Sequence, residues 1–242
     1  MTLYMKKSEI VTYHATREFF RKIQSNRKIA YINQTISEEV FNTATHGLGT
    51  ILSIVGFFYL VFFSIMDGAS VRLITSIVYG LSLSFMYIAS MLYHGASTYR
   101  RKKFFHILDH SAIFILIAGT NTPILLVYMK DQWGLELCWA SWILATTGVF
   151  LEFYFSQRIP KYISITLYTL MGWMILFAAK PMFENLPSGL LQSLFFGGVA
   201  YMAGIFFYVR KTLFFNHVIW HLCVLTGSAF HFIGILKYVA MN

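Results

Sequence analysis

The chain has 242 residues, 57% of them hydrophobic and 18% aromatic, and only 12% are charged, about half the roughly 25% of a typical soluble domain. A water-soluble fold of this size cannot hide that much apolar surface, which excludes a cytosolic enzyme, a secreted disulfide scaffold and a disordered tail. The 19 Lys and Arg against 10 Asp and Glu leave a net charge of +9; in a soluble chain this would raise nucleic acid as a partner, but here no nucleic acid is expected and the question is whether the basic residues sort to one side of a bilayer.

Residues 1 to 44 are polar and hold seven basic residues, Lys6, Lys7, Arg17, Arg21, Lys22, Arg27 and Lys28. No short apolar stretch of the signal-peptide kind lies near the start, so this segment reads as a basic N-terminal arm. Within it, residues 8 to 38 fit either an amphipathic helix on an anionic lipid surface, through Phe19, Phe20, Ile23, Ile29 and Ile32, or a mobile tail. Seven apolar runs follow, at about 46–66, 72–94, 107–129, 136–155, 162–180, 189–209 and 217–239. Each is long enough to cross a hydrocarbon core of roughly 30 Å as a helix. The expected fold class is therefore all-α: an integral membrane seven-helix bundle over 45–242, with loops too short for any soluble domain.

Orientation follows from the basic residues. With the N-terminus inside, the cytoplasmic segments hold the seven residues of the arm together with Arg100, Arg101, Lys102, Lys103, Arg158, Lys161, Arg210 and Lys211, whereas the other side holds Arg72, Lys130, Lys180 and Lys237. The positive-inside rule then predicts a cytoplasmic N-terminus and an external C-terminus in a multi-pass cell-membrane protein. The two cysteines, Cys138 and Cys223, sit inside apolar runs and read as small buried hydrophobes.

Once the spans are placed, the ionisable residues inside them carry the information, because the bilayer makes them costly. His46 starts span 1, His94 ends span 2, His106 and His110 open span 3 with Asp109, and His217 and His221 open span 7. The topology brings these to a similar depth. His231 lies deeper in span 7. His217 and His221 in HVIWH are four apart, so both rings leave one helix face a turn apart, as a zinc ion requires. Ser90 and His94 repeat that spacing on span 2. Three imidazoles and a water form an open tetrahedral site, with Asp109 placed as general base and Ser90 to orient the water or a substrate carbonyl. The plainer alternative is a set of interhelical hydrogen bonds.

Other polar residues have two readings each. His106 and His110 form a second HxxxH, but Asp109 points about 100° from His110; Asp109 is favoured inward, His110 as an interhelical partner and His106 as a solvated loop-end residue. Glu39, Asn42 and His46 share a stripe, either a lid or support over the site or a capped, salt-bridged helix entrance in which Asn42 bonds open backbone groups and Glu39 pairs with basic loops. Asn121 and Pro123 are expected to interrupt span 3. Glu152 can reach Arg158 or water and is given no role.

Three blocks, EEVFNTATHG at the first span, SMLYHGAS followed by LDHSAIFILIAGTNTP, and HVIWHLCVLTGSAFHFIG at the last, together resemble the haemolysin III family. That family is the bacterial branch of the progestin and adipoQ receptor family, which includes the adiponectin receptors, and it is more distantly similar to the alkaline ceramidases. The resemblance implies a bacterial origin and a zinc ion within the membrane near its cytoplasmic side, with His94, His217 and His221 matching the zinc histidines. It also implies that Asp109 matches the aspartate near the zinc-bound water and Ser90 the serine one turn before the first histidine. Relatives of known chemistry hydrolyse ceramide-type amides. His110 stands where the receptors tend to carry another residue, so no role is transferred to it.

Three functions fit: a zinc-dependent hydrolase of a lipid amide or ester, with membrane lipid as substrate or ligand; a non-enzymatic membrane sensor or homeostasis protein with structural zinc; and a pore or cytolysin. The last predicts broken helices with polar residues at midplane on several spans.

Overall fold

The computed structural model describes residues 34–155, 160–210 and 212–241. Among these, seven helical segments are long and apolar enough to cross a membrane. The expected surface helix over 8–38 falls, up to residue 33, outside the described residues.

Helix α1 (Ile36–Asp67) begins well ahead of its apolar run because Thr35 caps it. The Thr35 hydroxyl accepts from the Glu38 N–H at 3.2 Å, and Glu38 Oε2 accepts from the Thr35 N–H at 2.8 Å, a reciprocal box that satisfies two open donors. The polar turn carrying Glu39 and Asn42 is thereby helical and continuous with the membrane span. Gly68, at φ +79°, ends the helix in a left-handed conformation that favours glycine. Helices α2 (Ser70–Gly95) and α3 (Tyr99–Tyr128) follow, then α4 (Leu135–Phe155), α5 (Lys161–Trp173), α6 (Ala179–Asn185), α7 (Ser188–Val209) and α8 (Asn216–Ile235). Together α5, the 3₁₀ turn Met174–Ala178 and α6 make the fifth span.

Packing is uneven, and that unevenness positions the site. Helices α2 and α3 are the centre, 61% and 67% of their membrane windows buried, whereas the α5–α6 span and α7 are each 17% buried. The main core joins Leu60 of α1, Tyr79, Leu83, Met86 and Tyr87 of α2, Ala112 and Leu116 of α3, and Val224 of α8. Helices meet closely where one lacks a side chain: a Cβ on Gly49 would lie 2.4 Å from the Tyr87 ring, and one on Gly148 2.4 Å from the Phe114 ring. Small residues at such crossings are how membrane helices gain dispersion contact. Helix α7 packs on α8, and α5 packs on α3 and α4.

The break expected at Pro123 is corrected: α3 is helical straight through it. Thr120 and Thr122 donate back to the Leu116 and Ala118 carbonyls at 2.7 and 2.8 Å, and Asn121 reaches Ser141 of α4 at 3.4 Å. A proline so surrounded is tolerated in a membrane helix. The irregularity falls instead in the fifth span, before Pro181. Proline removes an N–H and crowds the carbonyl four residues back, at Phe177, inside the 3₁₀ turn Met174–Ala178.

Candidate metal centre

Three buried or half-buried imidazoles meet at the end of the bundle that carries Arg100, Arg101, Lys102, Lys103 and Arg210. One ring nitrogen from each of His94, His217 and His221 lies within 4.8 Å of the other two. Helix α2 supplies His94 from its last turn, and α8 supplies both others from its first two turns, where the four-residue spacing stacks their rings on one face. The His94 and His217 Nε2 atoms are 3.3 Å apart. Two ligands of a tetrahedral ion with zinc–nitrogen bonds of roughly 2.0–2.1 Å would be separated by about the same distance.

Helix α1 fixes the tautomers. Glu39 Oε2 accepts from His94 Nδ1 at 2.8 Å, which in the neutral ring puts the proton on Nδ1 and leaves Nε2 as a lone pair. The Thr45 hydroxyl has one proton, and its bonds to the Phe41 and Asn42 carbonyls, at 2.9 and 3.0 Å, use it. His221 Nδ1, 3.3 Å from that oxygen, is therefore the donor, and its Nε2 is also bare. A carboxylate or oxygen acceptor behind a histidine is the usual support for a metal ligand. Lys102 completes the set: its ammonium donates to Glu39 Oε1 at 2.6 Å and to the His94 carbonyl at 3.3 Å. Glu39 thus pairs with a basic residue, Lys102, which lies in the first turn of α3 and not in a loop, and also holds a site histidine. The donor set, its spacing and its tautomers all fit a divalent ion such as zinc.

His46 packs flat on His221, ring centroids 3.6 Å apart and planes 12° from parallel, with Tyr87 edge-on at 5.1 Å. It is 3% exposed, and neither ring nitrogen has a hydrogen-bond partner among the described residues. Ser90 is buried and Asp109 half-buried. Both line, with His46, His217 and His221, a cavity of about 1020 Å³. Asp109 stands outside the three-histidine group, on the α3 wall.

The cavity runs on between α3, α5, α6, α7 and α8 along mostly apolar walls. Phe183 and Phe195 line it and are 75% and 66% exposed, so it opens sideways between the α5–α6 span and α7. A Cβ on Gly172 or on Gly198, one on each side of this mouth, would meet nothing within 4 Å.

Several neighbours differ from expectation. His106 is buried rather than solvated, its ring 4.1 Å from His110 and 5.2 Å from Tyr93. Glu152 is 3% exposed; it accepts from Ser164 at 2.7 Å and lies 3.7 Å from His110 Nδ1, because α4 turns it inward toward α3 and α5. His110 is the interhelical partner expected, also through its carbonyl, which accepts from Tyr168, yet it lines the cavity beside Asp109. Asn42 donates to the Gln34 side chain at 2.6 Å rather than to backbone. Thr45 and Lys102 were missed as supports; one signal was available, Thr45 lying adjacent to His46 in the ATHG block. Cys138 is buried, Cys223 half-buried, and both are free.

A bundle of seven apolar helices holding a three-histidine group at one end defines a polytopic membrane protein with a cluster that could hold a metal ion. Sequence comparison agrees and narrows the class. The haemolysin-III-related family model matches residues 34–232, and the chain belongs to that family. It is 40% identical over 212 residues to Hemolysin-3 of Bacillus cereus, covering 88% of this chain and 96% of that one. It is 38% identical to the Hemolysin-3 homolog of Bacillus subtilis, covering 84% and 95%. The monocyte to macrophage differentiation factor of Rattus norvegicus is 28% identical over 231 residues, 92% of this chain and 94% of that one. No solved structure matches significantly.

Proposed function

We propose that His94, His217 and His221 hold a zinc ion and that the site hydrolyses an amide or ester of a membrane lipid entering through the lateral mouth. The observation that carries this reading is one continuous cavity joining His217 and His221 of the cluster, Asp109 and Ser90 to an opening at the lipid-facing surface. Zinc in such a site supplies Lewis acidity and makes water a competent nucleophile near neutral pH. The Asp109 carboxylate, on the cavity wall, accepts the proton of the attacking water and returns it to the departing amine or alkoxide, so the acyl bond breaks with one water consumed. Ser90 Oγ orients the water or the scissile carbonyl. The apolar walls hold the chain and exclude bulk water. The basic end of the bundle faces the cytoplasm, by the positive-inside rule, in the cell membrane of a bacterium.

One observation favours a second reading, in which the ion is structural and the protein a sensor or homeostasis factor. The centre, with Glu39 and Thr45, ties α1, α2 and α8 together. Metal analysis of purified protein beside Asp109→Asn separates the two. Under the hydrolase reading the variant keeps about one zinc per chain and loses lipid turnover; turnover by Asp109→Asn equal to wild type would refute the assigned role.

A further inference from the structure

Glu152 is a carboxylate buried inside a membrane span, and a group so costly there marks a function by default. It pairs with no Lys or Arg among the described residues. Ser164 donates to it at 2.7 Å, and His110 Nδ1 lies 3.7 Å from Oε2. His110 in turn forms part of the cavity wall beside Asp109, and its side chain is 18% exposed. With Nδ1 turned to a carboxylate, the neutral ring keeps its proton on Nδ1 and offers Nε2 as a lone pair. Nε2 has no partner among the described residues and is not enclosed by them. The other titratable groups around the ring are Asp109 and His106 of α3, Tyr168 of α5 and Tyr208 of α7.

Ester hydrolysis leaves a proton over. Asp109 moves one from the water to the alkoxide, which gives an alcohol and a carboxylic acid, and the acid ionises at neutral pH. The alcohol is too weak a base to take that proton, and the apolar walls keep bulk water away. We propose that His110 is a second catalytic residue, the base that takes the proton of the product acid, with Glu152 positioning it. The acid O–H bond breaks, its electron pair stays on oxygen, and the proton forms the Nε2–H of an imidazolium whose Nδ1–H faces Glu152. The proton leaves toward the basic end of the bundle as the carboxylate departs. This rests on the hydrolase reading above and adds a proton exit to it.

The test uses 4-methylumbelliferyl oleate as the ester and full-length, zinc-loaded protein in detergent, with and without imidazole in the buffer. Wild-type turnover should be indifferent to imidazole. His110→Ala should keep its zinc, release about one equivalent of 4-methylumbelliferone per chain in a burst, and then turn over roughly 100-fold more slowly. Imidazole should restore that slow phase severalfold. Binding gives a readout apart from turnover: in competition against a fluorescent fatty acid, His110→Ala should lose oleate affinity by roughly tenfold and keep its affinity for oleyl alcohol. Glu152→Gln should slow the same phase without rescue by imidazole, because the ring is still in place. A wild-type rate in His110→Ala, or a slow phase that imidazole does not restore, overturns the relay. Acceleration of wild type by imidazole overturns it too, whether or not either variant folds. If oleate displaces the fluorescent acid from wild type but no 4-methylumbelliferone is released, the hydrolase reading falls and the relay with it, while the lipid cavity stands.

Discussion

Replacing Glu39 with Gln tests whether α1 organises the metal centre from behind. The carboxylate makes two contacts at once, accepting from His94 Nδ1 at 2.8 Å and from the Lys102 ammonium at 2.6 Å. Gln has nearly the same shape but only one acceptor oxygen; whichever donor it serves, its NH₂ group faces the other. His94 then loses either the partner that keeps its Nε2 bare or the neighbouring ion pair that holds that partner still. Loss of an outer hydrogen bond of this kind lowers metal affinity by about 10–100-fold, equivalent to roughly 1.4–2.7 kcal/mol. The assay is zinc competition against a chromophoric chelator in detergent at fixed pH, on wild type, Glu39→Gln and Lys102→Met. Lys102→Met leaves the contact with His94 in place and should cost less. Unchanged affinity in Glu39→Gln would refute the support role. Complete loss of metal from a folded variant would make Glu39 a ligand instead of a support.

Removing any one of His94, His217 or His221 as alanine should abolish stoichiometric zinc, read by elemental analysis; retention by all three variants would dismiss the centre. Trp in place of Gly172 or Gly198 grows into open space at the lateral mouth, so metal content should hold while fatty-acid binding falls at least severalfold in the competition titration. Gly148→Ala pushes a methyl into the buried Phe114 ring and should destabilise the bundle by about 1–3 kcal/mol, measured as a lower thermal midpoint in detergent; an unchanged midpoint would mean that α3 and α4 separate freely.

What could be read from sequence was whatever rests on a period or a sum. The seven runs, the HxxxH pair and the Glu39–Asn42–His46 stripe are consequences of helix pitch, and the structure places the histidines of α1, α2 and α8 together as their depths required. Rotation of one helix about its axis against another is not a periodic property, and the misjudged residues are those it decides. Glu152 turns toward Ser164 and His110 because α3 and α4 pack at Gly148 and Phe114, and His106 meets Tyr93 because α3 packs against α2. Whether a histidine carries its proton on Nδ1 or Nε2 depends on Thr45 and Glu39 from another helix. The two prolines show the same division. Pro123 and Pro181 make identical local demands, a missing N–H and a crowded carbonyl, yet only the fifth span breaks. Helix α3 is the most buried span, with Thr120, Thr122 and Asn121 bonded around its proline, whereas the α5–α6 span is among the least buried and has few neighbours to hold it straight. That break lies along the same loosely packed edge as the cavity mouth. The poor packing that lets Pro181 bend its helix therefore also leaves the opening between α5–α6 and α7, so straightening and burying this span should narrow the entrance.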